Sequence, residues 1–199
     1  MTYMTPAVDP IVADLLKPRS ESPRRIIRVV LLAVALLALL SASYARAEYD
    51  LKLSLALLPV TGFAQLAIHE GAHAAIPVLR GRDAQIRFFP GGGRFGETIT
   101  WRRDITPATV ALPMVVDLAV IVAVPLILDD CESTWVASWL QSWRLAATGD
   151  LIWNLTGVFR GRDTDASMLA DYAHAKPGLA KGLALTGIAL TVTAVAVTF

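Results

Sequence analysis

The sequence predicts an all-α polytopic membrane protein of about five transmembrane helices with one small β-hairpin on the cytoplasmic side. Three observations carry that expectation. Hydrophobic residues make up 55% of the 199, and the mean hydropathy of +0.54 lies above that of soluble domains. Five apolar stretches each reach the roughly 20 residues that a helix needs to cross a bilayer. The basic residues gather in alternate segments between those stretches, as they do when a chain crosses a membrane repeatedly.

Residues 1–25 form a polar, proline-containing tail, and residues 26–199 form a single transmembrane domain. The first span runs from about Ile26 to Tyr44. Its basic lead-in (Arg24, Arg25, Arg28), apolar run and Ala45-Arg46-Ala47 also suit a signal peptide. The run is long for that purpose and a tail precedes it, so an uncleaved helix is expected. The second span runs from about Leu53 to Leu79, the third from Ile105 to Leu128, the fourth from Trp135 to Phe159 and the fifth from Gly178 to Thr198. The fourth is the least regular, because it contains Arg144, Gly149 and Asp150. Between spans two and three, Ile86 to Trp101 places aromatic and β-branched residues on both sides of Gly91-Gly92-Gly93, the pattern of a hairpin. Those glycines lack the Lys-Ser/Thr and helix of a phosphate loop. Trp135, Trp139 and Trp143 recur at helical spacing near the outer end of span four, where they form either an interfacial anchor or a packing surface.

The net charge of +1 points to no particular class of partner, and no nucleic acid is expected. Its distribution gives an orientation. Fifteen of the 18 Lys and Arg lie before or just within the start of the first span, between spans two and three, or between span four and the first residues of span five. The positive-inside rule then places the N-terminus in the cytoplasm and the C-terminus outside, in a multi-pass membrane protein, with a bacterial plasma membrane as the expected location. A single cysteine, Cys131, excludes an internal disulfide framework and a Cys-rich zinc module. Any metal site must draw on His, Asp and Glu.

The second span supplies such residues. His69-Glu70-Gly71-Ala72-His73 is an HExxH motif. On a helix, histidines four apart share one face, one turn apart, and can share a metal ion. Glu70 projects from the same turn, where it can take a proton from a metal-bound water. A charged residue inside an apolar span is expensive in lipid and marks a functional site by default. His69 lies about ten residues before the inner end of its span, roughly 15 Å below the cytoplasmic surface. Catalytic zinc takes three protein ligands and keeps a fourth position for water. The one other histidine, His174, follows span four in a polar segment and reads as a surface residue. The third ligand is therefore expected to be a carboxylate. Asp163 and Asp165 sit just past span four, Asp150 sits within it, and Asp117 is near the middle of span three.

Taken together, these residues resemble the site-2 protease family of intramembrane zinc metalloproteases, over about residues 53–171. HEGAH matches that family's first motif fully. Trp153-Asn154-Leu155, followed by Thr164-Asp165-Ala166, is similar to its second, with a longer gap and Ala166 where the family has glycine. The resemblance implies a three-helix metalloprotease core made of spans two, three and four. His69 and His73 would bind zinc with Asp165, which is placed to open the next helix; Asp163 ranks second and Asp150 third. Glu70 would be the general base, and Asn154 would hold substrate backbone or steady the site. The hairpin would lie beside the active site and pair with an unwound substrate strand. The implied partners are a transmembrane protein substrate, the lipid bilayer and a regulatory membrane protein. An inactive scaffold or sensor of the same fold, or a zinc hydrolase of non-peptide substrates, are the competing expectations.

Overall fold

A computed structural model describes residues 49–91, 94–100, 105–161 and 164–196. The N-terminal tail, the first expected span and the candidate ligand Asp163 lie outside the described residues.

Five helices and one two-stranded sheet form the described part. Helix α1 (Leu51–Leu79) starts at Asp50, whose carboxylate accepts from the backbone N–H groups of Lys52 and Leu53. Strands β1 (Gln85–Gly91) and β2 (Arg94–Ile99) pair antiparallel, with Gln85 opposite Ile99 and Arg87 opposite Glu97. The register shifts between Phe88 and Gly91, where Phe89 and Gly91 both adopt positive φ. Helix α2 (Pro107–Leu128) has Thr106 at its N-cap and proline in its first turn, where the missing N–H costs nothing. Helix α3 (Thr134–Arg160) is continuous and ends at Gly161 in the left-handed conformation. Helix α4 (Asp165–Tyr172) is short, and α5 (Pro177–Ala196) follows it.

Helices α1, α2 and α5 are long and apolar enough to cross a membrane by length and composition. At 27 residues α3 is also long, but its polar inward face keeps it out of that class. Spans two, three, four and five of the sequence thus correspond to α1, α2, α3 and α5, with ends shifted by a few residues.

Helices α1, α2 and α3 pack on one another, α5 packs on α3, and α4 sits against α2 and α3. The burial is inverted relative to a water-soluble protein. The largest fully buried side chains include Arg144, Gln65, Gln141, Thr61 and Asp117, whereas Leu55, Val60, Val115, Ile127 and Leu185 are exposed. Polar seams join the helices. Thr61 Oγ1 and Ser142 Oγ are 2.8 Å apart, and Ser138 Oγ accepts from the Asp50 N–H at 2.9 Å. Small residues such as Ala137 and Ala147 are wholly buried, which lets backbones approach closely.

Prolines inside helices shape these seams. Pro125 has no N–H to donate to the carbonyl of Ile121, four residues earlier. Arg144 Nε donates to that carbonyl at 3.1 Å, and Arg144 Nη2 donates to the Ala194 carbonyl at 3.0 Å. One guanidinium therefore ties α2, α3 and α5 together.

The hairpin does not stop at the helix ends. It folds back along α1, with Thr98 beside Glu70, and Phe88 and Phe89 beside Phe63. Phe63 is about 24 Å from the C-terminal end of α1 at 1.5 Å per residue. Aromatic contact accounts for this placement. The Phe63 and Phe88 ring centroids are 5.1 Å apart, and Phe95 meets Trp153 of α3 edge-on at 5.9 Å. The hairpin thus lies against the HExxH turn of α1, beside the candidate site where the resemblance places it.

Candidate metal centre

His69 and His73 stand one turn apart on α1, their ring centroids 5.2 Å apart and nearly perpendicular. Asp165 faces both from the first turn of α4. Its Oδ2 lies 3.0 Å from His69 Nε2, and its Oδ1 lies 3.1 Å from His73 Nε2. His69 and Asp165 are buried.

Local sequence explains how α4 reaches the histidines. Gly161 reverses the chain after α3. Thr164 Oγ1 then donates to the Asn154 carbonyl at 2.9 Å, and the Asp165 N–H donates to Asn154 Oδ1 at 3.3 Å. This fold-back requires a glycine at 157, because a Cβ there would overlap the Thr164 side chain. Asn154 also donates from Nδ2 toward the Asp150 carbonyl at 3.3 Å.

The donor chemistry fits a cation. His73 Nδ1 lies 2.9 Å from the carbonyl oxygen of Thr109. A carbonyl only accepts, so Nδ1 carries a proton, and Nε2 is the nitrogen turned toward Asp165. Nε2 lies 3.1 Å from Asp165 Oδ1, a separation that a proton or a metal ion between the two atoms satisfies. Asp165 Oδ2 is buried without a hydrogen-bond partner. One donor atom from each of His69, His73 and Asp165 lies within 4.8 Å of the other two. Four ligands about 2.0–2.1 Å from a tetrahedral zinc sit roughly 3.3 Å from one another, close to the spacings found. Burial alone would raise the Asp165 carboxyl, but the two histidines beside it outweigh that effect and hold its pKa below the ordinary carboxylate value.

The other nitrogen of His69 faces a second pair of carboxylates. Nδ1 is 2.9 Å from Asp150 Oδ2 and 3.6 Å from Asp117 Oδ2, although neither pair is aligned as a hydrogen bond. Trp143 Nε1 donates to Gln65 Oε1 at 2.7 Å, so the Gln65 amide must turn its Nε2 to Asp117 Oδ1, at 2.6 Å. A carboxylate behind a metal-binding histidine fixes its tautomer and raises its basicity. Asp150 thus lies on the far side of His69 from Asp165 and His73.

Glu70 is buried against the hairpin. Its Oε2 accepts from Thr98 Oγ1 at 2.7 Å, and the same hydroxyl reaches the Glu70 carbonyl at 2.8 Å. Gly96 passes so close that a Cβ would overlap the Glu70 carboxylate. Beside this site, a cleft of about 350 Å³ runs between α1, α3 and the hairpin. Phe63, Leu66, Phe89, Phe95 and Trp153 line it, and Asp150 and Gln65 are its polar groups. His174 is exposed, beyond the end of α4.

Sequence reasoning did not single out Gln65, Gly96, Thr98 or Thr109. Only Gln65 had a signal: it precedes His69 by four residues and is polar in an apolar helix. Compared with known protein families, curated proteins and solved structures, the chain matches none of them.

Proposed function

We propose that this chain is an intramembrane zinc metalloprotease, similar to the site-2 protease family, that hydrolyses peptide bonds of transmembrane substrates within or near the bilayer. One observation carries the reading: His69 Nε2 and His73 Nε2 each face one oxygen of Asp165, at 3.0 and 3.1 Å, in a buried spot beside a buried glutamate. Such a donor set suits catalytic zinc, with a fourth position left for water.

The membrane setting is supported by the inverted burial. Exposed leucine, valine and phenylalanine on α1, α2 and α5 would be costly in water and are natural in lipid, whereas the polar seams between helices are what lipid selects against exposing. With the charge asymmetry of the sequence, this favours a multi-pass protein with its N-terminus in the cytoplasm and its C-terminus outside.

Zinc held by His69, His73 and Asp165 would acidify a water and polarise a scissile carbonyl. The chain's own groups do the rest. Glu70 takes the proton of the attacking water and returns it to the departing amine. Thr98 and Gly96 hold the Glu70 carboxylate at the base of the hairpin, so a peptide paired with β2 is brought alongside it. Asp150 and Asp117 keep His69 oriented, and Asn154 keeps Asp165 at the mouth of α4. The apolar cleft receives side chains of a segment that has unwound from its own helix.

The test is cleavage of a synthetic transmembrane peptide by detergent-purified protein. Wild type cleaves it, and Glu70→Gln retains zinc but does not. A Glu70→Gln variant cleaving at the wild-type rate would remove the general-base assignment. Wild type that holds zinc, cleaves no peptide and hydrolyses another substrate would favour the non-peptide hydrolase. Wild type with neither zinc nor activity would favour a scaffold.

A further inference from the structure

We infer that Pro113 is a positioning residue for the metal centre: by withholding an N–H, it turns the Thr109 carbonyl into the acceptor that orients His73. This rests on the reading of His69, His73 and Asp165 as a zinc site.

In an unbroken helix the carbonyl of Thr109 would receive the N–H of residue 113. That residue is proline, inside α2, and has none to give. The proline ring also crowds the carbonyl four residues back and tilts it away from the helix axis. On α2 that tilt faces α1, and His73 Nδ1 lies 2.9 Å from the oxygen. Both Thr109 and Pro113 are buried and His73 is half-buried, which limits competition from water for the contact. The consequence is chemical. A protonated Nδ1 leaves the lone pair on Nε2, the nitrogen that faces Asp165 at 3.1 Å. The opposite tautomer would set an N–H against the incoming metal and a lone pair against a carbonyl.

The same device occurs a second time in α2. Pro125 withholds an N–H from the Ile121 carbonyl, and Arg144 Nε takes that acceptor at 3.1 Å. In both cases a proline four residues downstream offers a backbone acceptor to a side chain of a neighbouring helix, the half-buried imidazole of His73 or the buried guanidinium of Arg144. Only the first lies at the metal centre. Pro125 is therefore an internal control for the general effect of removing a proline from this helix.

The experiment uses the full chain in detergent, with nitrogen-15 in its histidines, compared as wild type, Pro113→Ala and Pro125→Ala. The chain has only three histidines, and His174→Gln identifies the exposed one. Imidazole nitrogen shifts of the metal-free protein report the His73 tautomer, and competition with a chromophoric chelator reports zinc affinity. In wild type His73 carries its proton on Nδ1. In Pro113→Ala the Nε2-protonated form gains population and zinc binds about tenfold more weakly, the low end of the loss seen when an outer partner of a metal ligand is removed. Pro125→Ala changes neither. The inference is overturned by a wild-type His73 with no proton on Nδ1, by Pro113→Ala matching wild type in both measurements, or by Pro125→Ala weakening zinc equally. Wild type that takes up no zinc would end the zinc reading instead, and the tautomer comparison would still decide the role of Pro113.

Discussion

The side chain of Asn154 accepts a hydrogen bond from the Asp165 backbone N–H, 3.3 Å away, and so joins the last turns of α3 to the first residue of α4. The backbone of Asp165 is thus held by a neutral amide on another helix. The same amide donates toward Asp150, whose carboxylate stands behind His69. Asn154 therefore touches the surroundings of both His69 and Asp165 without facing the metal position itself.

Replacing Asn154 with alanine should release the start of α4 while leaving the helices packed. Zinc affinity is expected to fall about 10- to 100-fold, as for other outer partners of metal ligands. Chelator competition measures the loss, and an unchanged helical circular dichroism spectrum separates it from unfolding. An affinity equal to wild type would mean that Thr164 and the turn at Gly161 suffice to place Asp165.

Gly96 is expected to separate catalysis from metal binding. Any side chain there meets the Glu70 carboxylate. Gly96→Val should displace that carboxylate from Thr98 and lower peptide cleavage by about 10²-fold or more, within the usual contribution of a general base. Zinc content should stay at the wild-type level, because the histidines and Asp165 lie on other elements. Parallel loss of zinc would show that the hairpin supports the metal centre as well.

Much of the fold was legible in the sequence, for a physical reason. Apolar runs of about 20 residues mark long helices whatever their neighbours do, and the glycine run between aromatic segments marks a hairpin. The HExxH pair was legible because both histidines belong to one turn of one helix. The third candidate ligand was harder. Asp163 and Asp165 share one polar stretch and Asp150 lies within span four, and what brings Asp165 to the histidines is tertiary: the turn at Gly161 and the bonds of Asn154 and Thr164. The hairpin was expected beside the HExxH turn, but the contacts that hold it there, Phe88 and Phe89 on Phe63, were not legible because they form across the fold. Polar residues in apolar helices were the signal left unused. Thr61, Gln65 and His69 are spaced by four along α1, and all three are buried.

The two carboxylates nearest His69 should differ in kind. Asp165→Ala should remove zinc at ordinary micromolar loading, since it deletes the group facing both Nε2 atoms. Asp150→Ala should retain about one zinc per chain at reduced affinity, because it removes a contact at Nδ1 only. Zinc analysis of both variants beside wild type checks this. The reverse outcome would move the metal to the other face of His69, among Asp117 and Asp150.

Arg144 gives a prediction about stability alone. Its guanidinium is buried and bonds the Ile121 and Ala194 carbonyls, on helices that flank α3 from two sides. Arg144→Met keeps much of the side-chain volume but takes donors away from both carbonyls. Each buried carbonyl that loses its partner costs about 1–3 kcal/mol. Proline explains why the Ile121 end is vulnerable: the helix has no N–H at 125 with which to recapture that acceptor. The variant should therefore unfold at a lower temperature in detergent, with α5 exposed to protease before the rest. Zinc bound before heating should remain near one per chain, since no metal-facing residue changes. A melting temperature equal to wild type would mean that Arg144 contributes no more than the methionine packing that replaces it.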